Sequence, residues 1–471
     1  MTATSSVVGA RGSREVRAGA VLAVLSVAAF LASLDLFIVN VAFEHMGRSF
    51  PGASLADLSW VLNGYAIAYA ALLIPLGRLA DRFGRKAGFL LGLGLFTAAS
   101  AACAASTGLW ILVFSRMAQA VGAALLTPTS LGLLLNATPP EGRTRAVRIW
   151  AAVGSLAAAA GPVAGGLLVE LSWQWVFLVN LPVGIAALLA AVRVIPDSRE
   201  AARGPLPDLP GAGLLGVAVG ALSLALVKVQ EWGWSDGRTG VSLLVCVLAG
   251  AWFWWRSGGH PAPVVEPALL RVRTFAWANL SAFVFSVAFA ANLLTSILWM
   301  QEVWRFSALR TGLSISPGPL MVPLFASVAQ RLSRRVEAGW LAAAGCVFCA
   351  VGPALCRVSA GAAPDYVTGL LPGWMLAGVG VGLAFPTLLA SATVELPPAR
   401  TATGSAIVNM SRQVGMALGV SLLVALVGGA VGDALRAAFG HVWLAAAVLS
   451  LCAALLSLGV NPSRVTRHST A

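Results

Sequence analysis

The sequence predicts an all-α, polytopic membrane protein of fourteen transmembrane helices, and three observations carry that prediction. Hydrophobic residues make up 58% of the 471-residue chain and charged residues 10%, with a mean hydropathy of +0.86. Soluble globular chains sit nearer half apolar and a quarter charged. Apolar runs of about twenty residues, enough at 1.5 Å per residue to cross a hydrocarbon layer of ~30 Å, recur along nearly the whole length. The basic residues fall between those runs in small groups, and 29 of the 31 are arginine, Lys86 and Lys228 being the exceptions.

Taken in order, residues 1–18 are polar and carry Arg11, Arg14 and Arg17. They lack a short apolar core followed by a small-residue cleavage site, so the segment reads as a tail and the first apolar run as a retained helix. That run, 19–42, holds one acid, Asp35. Runs 57–79 and 87–105 flank the decapeptide GRLADRFGRK (77–86), which concentrates five charges in ten residues. Run 109–135 holds Arg116, run 149–170 is rich in glycine around Pro162, and run 175–195 completes a set of six. Runs 210–229 and 240–256 follow as a pair. A second six comprises 277–300, 311–331, 338–357, 366–391, 402–428 and 441–460.

An internal repeat relates the two sixes. The stretch LGRLADRFGRK (76–86) is followed 249 residues later by FASVAQRLSRR (325–335), which sets Arg82, Arg85 and Lys86 over Arg331, Arg334 and Arg335. Each copy lies between the second and third spans of its half. Related halves around a central site are a recurrent plan of membrane transporters. The expected organisation is therefore a tail (1–18), a six-helix bundle (19–196), a two-helix central insert (207–257), a second bundle (274–460) and a tail (461–471).

With the N-terminus placed in the cytoplasm, 23 basic residues fall on the inner side and six on the outer, while Arg116 and Lys228 lie within spans. Positive loops are retained inside, so an even number of spans with both termini cytoplasmic is expected, in the plasma membrane. The same distribution explains the net charge of +13 without a nucleic-acid partner, because the bases are dispersed rather than gathered into one patch. Lys228 and Glu170, at span ends, are expected to snorkel toward the interface.

Nothing in the chain points to catalysis. The four histidines share no metal-ligand spacing, and neither a GxSxG elbow nor a phosphate-binding GxxxxGK[ST] loop occurs. GAGLLG (211–216) matches GxGxxG but opens an apolar run, where small residues serve helix contact. Cys346 and Cys349 form a CxxC with no second pair or neighbouring histidine, so no metal is expected.

The intramembrane charges are more informative. Asp35 lies about fifteen residues, roughly 22 Å, from the inner end of its run. A charge at such depth costs several kcal/mol, so it faces an internal cavity or pairs with another charge, and Arg116 is the available partner. Such a pair either fixes helix packing or serves proton exchange, in which burial and the nearby guanidinium pull the acid in opposite directions. In the fifth run, Gly154, Gly161, Pro162, Gly165 and Gly166 read either as ordinary close packing or as a bendable contact that governs which side a cavity opens to.

These pieces together resemble the major facilitator superfamily, specifically its fourteen-span drug:proton antiporter branch. GRLADRFGRK is similar to the family's motif A, RMAQAVGAA to motif B with Arg116, Gln119 and Gly122 in place, and GSLAAAAGPVAGG to the antiporter motif C. LDLFIVNVAF resembles the branch's helix 1 motif, with Phe43 and Glu44 replacing its usual ending, and WQWVFLVNLPVG (173–184) resembles the entry to helix 6. The likeness runs from about residue 20 to 460.

The resemblance implies two bundles rocking about a central cavity, with export of small amphipathic or cationic drugs coupled to proton entry. It implies no cofactor beyond the proton-motive force, and as partners a small-molecule substrate, protons and the bilayer, with the chain monomeric. Asp35 is the expected proton carrier, modulated by Arg116. Gly77, Asp81, Arg82, Gly84 and Arg85 form an expected inner latch in which Asp81 meets Arg412 when the cavity faces outward, and whose breaking lets the inner gate open. Asn40, Trp60, Tyr65, Gln119, Trp299, Gln301, Asn409 and Gln413 are the candidate cavity residues. Other readings are a same-fold carrier of a siderophore, amino acid or lipid-like metabolite, and a membrane sensor that transports nothing.

Overall fold

The computed structural model of the protein describes residues 3–196 and 205–460, with side chains from residue 19 onward except 144, 398 and 399. The tail 461–471 and the arginines at 199 and 203 lie outside the described residues. Among the described residues, fourteen helices are long and apolar enough to cross a membrane. We number them α1 (Ala3–Ser49), α2 (Leu55–Phe83), α3 (Arg85–Ala104), α4 (Leu109–Ala137), α5 (Arg143–Val169), α6 (Trp175–Val194), α7 (Leu209–Trp232), α8 (Gly237–Gly259), α9 (Arg273–Val303), α10 (Ala308–Leu332), α11 (Ala338–Ser359), α12 (Tyr366–Val394), α13 (Pro398–Val427) and α14 (Gly432–Ser457).

Several helices outrun their apolar cores. The first proline of the chain is Pro51, so α1 is continuous from Ala3 through the segment expected as a tail and on to Ser49, where Arg48 pairs with Glu44 one turn back. Hydropathy reports where the bilayer is crossed, whereas backbone hydrogen bonding continues until a breaker intervenes. Prolines also interrupt: α10 breaks at Ser316 before Pro317, and α9 ends in a π-helical turn over Trp299–Val303.

Helices α1–α6 form one bundle, with α5 on α1, and α2 and α3 on α4. Helices α9–α14 repeat the arrangement, with α13 on α9, and α10 and α11 on α12. The repeat extends to individual contacts. A methyl on Gly161 would sit 3.5 Å from Leu34 O and one on Gly165 2.9 Å from Ile38 O. In the second bundle, a methyl on Gly415 would sit 2.6 Å from Phe283 O, and one on Gly419 would overlap Val287 O. Phe283 and Val287 stand 249 residues after Leu34 and Ile38, the same offset as the basic repeat. Small residues let the two helices of each pair approach to backbone contact.

Helix α7 lies against both α2 and α13, and α8 packs on α7. Gln230 donates to Ala425 O at 2.6 Å, and Lys228 pairs with Asp57 of α2 at 2.9 Å as well as with Glu231. Lys228 is thus a tie between insert and bundle, where snorkelling alone was expected, because Asp57 already stands at the α2 N-terminus in a capping box with Ser54. At the other end Asp208 caps α7 and pairs with Arg256 of α8 at 2.6 Å. Cys346 and Cys349 face neighbouring helices, Ser457 of α14 and Ala377 O of α12 respectively.

Candidate functional site

A cavity of about 440 Å³ lies between the bundles, lined by α1, α2, α4 and α5 on one side and by α9, α10, α12 and α13 on the other. Its walls are aromatic and apolar, with hydroxyls and amides interspersed. Such a volume and lining suit a drug-sized ligand.

The cavity is shut on the face away from the chain ends. There α5 and α10 meet at their small residues: a methyl on Gly166 would sit 2.6 Å from Leu309 Cα, and one on Gly312 would overlap Pro162 O. Gln301 reaches across to donate to Val41 O at 3.0 Å, and Asn63 of α2 donates to Ser421 of α13 at 3.1 Å. Toward the chain ends the same two helices lose their burial, over Ala151–Leu156 and Pro319–Ser327. The conformer is therefore open toward the face where α1 enters and α14 leaves.

Behind the cavity wall is a buried polar cluster. Asp35 and Arg116 are 0% and 1% exposed and pair at 2.5 Å. Gln119, one turn along α4 from Arg116, donates to Asp35 Oδ1 at 2.8 Å and accepts from Arg116 at 2.5 Å. Asn180 of α6 approaches the same carboxylate oxygen at 3.3 Å, and both amides contact Ser100 Oγ. The guanidinium also reaches Val61 O at 3.4 Å and lies 4.2 Å from the Tyr65 ring centroid. Every charge in the cluster is hydrogen-bonded, the condition under which a buried pair is tolerated. Tyr65 lines the cavity whereas Asp35, Arg116 and Gln119 do not, so the tyrosine ring separates the acid from the cavity.

The remaining candidates divide by position. Tyr65, Asn409, Gln413, Gly154 and Pro162 line the cavity. Five expected cavity residues, Trp299 among them, lie elsewhere: Asn40 bonds its own helix at Leu36 O, Trp60 packs against the hydrophobic core, Gln119 belongs to the Asp35 cluster, and Gln301 closes the far face. Trp299 is buried in an aromatic group with Trp443, their centroids 5.0 Å apart.

The expected Asp81–Arg412 pairing, assigned to a cavity facing outward, is not formed in this conformer. Asp81 pairs with Arg85 at 2.5 Å across one turn, near the surface. Arg412 sits fourteen residues into α13, about 21 Å from its start at 1.5 Å per residue. At that depth it lines the cavity, 3.9 Å from the Phe385 centroid, out of reach of the loop after α2. The tie at this face is a different one: Glu266, before α9, accepts from Arg78 of α2 at 2.9 Å and approaches Arg400 of α13 at 3.8 Å. Sequence reasoning counted both arginines as inner charges and overlooked Glu266, Ser100, Asn180 and Gly312. Asn180 stood within a quoted motif, whereas the other three carried no signal beyond residue type.

Within motif A the glycines have separate tasks. A methyl on Gly77 would sit 3.1 Å from the Pro128 ring of α4, and Arg82 stands 5.9 Å from the Phe83 ring centroid. Gly84 alone joins α2 to α3, at φ 116° and ψ 122°, a conformation that L side chains rarely adopt. Gly84→Ala is expected to cost about 1–3 kcal/mol, read as a lower midpoint of thermal unfolding in detergent.

Two bundles of membrane-spanning helices around a cavity closed at one face are the construction of a membrane transporter rather than an enzyme. The family profile described as Major Facilitator Superfamily matches residues 25–420. The chain belongs to the major facilitator superfamily. It is 33% identical to the methylenomycin A resistance protein of Bacillus subtilis (strain 168), covering 85% of this chain and 86% of that one. It is 32% identical to the cephamycin export protein CmcT of Amycolatopsis lactamdurans, covering 95% and 93%. Among solved structures it resembles the peptide transporter POT in complex with sulfate, with TM-score 0.67 and 18% identity over 94% and 95% of the two chains, a likeness of fold.

Proposed function

We propose that this transporter exports small amphipathic antibiotics or related metabolites across the plasma membrane by proton antiport, with both termini cytoplasmic. The observation that carries the reading is the Asp35–Arg116–Gln119 cluster, a buried carboxylate set behind Tyr65 at the wall of a cavity open to one side. Protonating Asp35 removes its charge and loosens its hold on Arg116, which keeps Gln119 Oε1 and Val61 O as acceptors. Tyr65 is the ring both events reach first. Proton occupancy of the cluster and cargo occupancy of the cavity thereby act on one shared wall, and the rocking of the bundles makes and breaks the α5–α10 contact. The names of the relatives, resistance and export proteins for methylenomycin A and cephamycin, support an antibiotic-like cargo.

Proteoliposomes holding the protein, a trapped pH dye and an imposed proton gradient provide the test. Adding methylenomycin A, tetracenomycin C or a cephamycin is expected to evoke proton movement down the gradient. Silence with every member of that panel would remove the reading.

A further inference from the structure

We propose that Arg412 is the specificity residue of the central cavity and that the cargo is an amphipathic anion, an aromatic or polycyclic body bearing a carboxylate or similarly acidic group. The inference rests on the export reading and narrows its substrate class, against the cationic preference that an aromatic cavity suggests from sequence. Among the described residues lining the cavity, Arg412 carries the one permanent charge. Among the described residues its polar contact is the neutral Asn409 Oδ1 at 3.1 Å, with the Phe385 ring at 3.9 Å beneath the guanidinium, and no ion pair is made with any of them. The acid that would have balanced it, Asp35, belongs to the other bundle, is fully buried, and is held by Arg116, Gln119 and Asn180 behind Tyr65.

The consequence follows from charge and geometry. A guanidinium offers five donors in a planar fork matched to two acceptor oxygens, and Asn409 uses one. With no carboxylate in the wall, a bound anion supplies the missing partner, whereas a bound cation must sit beside a like charge in an environment of low dielectric. Phe385 holds the guanidinium plane from one side, and Gln413 and Ser286 add neutral hydrogen-bonding groups nearby in the lining. Phe289 and Trp374 leave the rest of the surface for the apolar body.

Two xanthene dyes of opposite charge, fluorescein and rhodamine 123, test the proposal at pH 8 by their binding to the purified full chain in detergent. Fluorescein is expected to bind at least tenfold more tightly than rhodamine 123. Arg412→Gln should weaken fluorescein about tenfold and leave rhodamine 123 equal or improved, while Arg412→Lys, which keeps the charge, retains the preference. Equal binding of the two dyes by the wild type, or a fluorescein affinity unchanged in a monodisperse Arg412→Gln protein, would overturn it. A fluorescein preference without dye-evoked proton flux in proteoliposomes would uphold the anion site and remove proton antiport. Flux evoked equally by both dyes would uphold antiport and remove the anion site.

Discussion

Asp35→Asn is expected to abolish cargo-evoked proton movement and also to destabilise the folded protein by about 3–5 kcal/mol, the usual cost of stripping one partner from a buried ion pair. Arg116, 1% exposed, would keep Gln119 Oε1 and Val61 O but lose the anion that balances it. The double variant Asp35→Asn/Arg116→Gln removes both charges. It should recover most of the lost stability, because neutral amides can satisfy one another where an unpaired guanidinium cannot. Proton coupling should stay lost. Thermal unfolding in detergent and flux in proteoliposomes separate the two effects. Recovery of both together would mean that the pair serves packing alone. Full proton coupling in the single variant would remove Asp35 as the carrier.

Gly312→Leu should lower transport by at least about a hundredfold, because the contact that shuts the far face could no longer form. A side chain at 312 would run into Pro162 O and Val163 Cα of α5, and overlap with backbone cannot be relieved by a rotamer change. The expected outcome is a protein trapped with α5 and α10 parted at that face. Spin labels at the exposed Leu167 and Leu313 would report a longer separation than in the wild type. Gly250→Leu on α8, where nothing lies within 4 Å of the added carbon, controls for the effect of a bulky residue in a membrane helix and should leave transport unchanged. An unaltered distance distribution in Gly312→Leu would show that the α5–α10 contact is not the gate.

The ties at the α2–α13 seam give these two predictions their setting. Asn63–Ser421 lies toward one end of α2, with Lys228 of α7 on Asp57 beside it, and Arg78–Glu266–Arg400 lies at the other end. The α5–α10 seam is held at one face only, by backbone-to-backbone contact of small residues. In the proposed rocking the α2–α13 side is tethered and the α5–α10 side is free, and α7 lies on the tethered one.

Much of the architecture was legible before any coordinate. Fourteen spans, the two inserted helices and the 249-residue repeat follow from hydropathy and basic clusters, and all reflect properties read along one dimension. The pairing of Asp35 with Arg116 was legible for the same reason, since few charges lie at depth and each must find another or face a cavity. Cavity membership was not. Asn40, Trp60, Gln119 and Gln301 had the chemistry of lining residues and proved to face their own helix, the core, the acid cluster and the far gate. Arg412 had the charge of a latch and the depth of a ligand.

Sequence alone determined how often the chain crosses the membrane and which two halves repeat, because bilayer thickness and loop charge act on consecutive residues. Tertiary structure decided which way each helix turns. In a helix that is apolar on all sides, lipid-facing and cavity-facing positions demand the same residues, so rotation about the axis leaves little trace in composition. That rotation places Tyr65 between Asp35 and the cavity and turns Arg412 into it. It is therefore the packing of α2 and α13 against their neighbours that determined which charge the cargo meets.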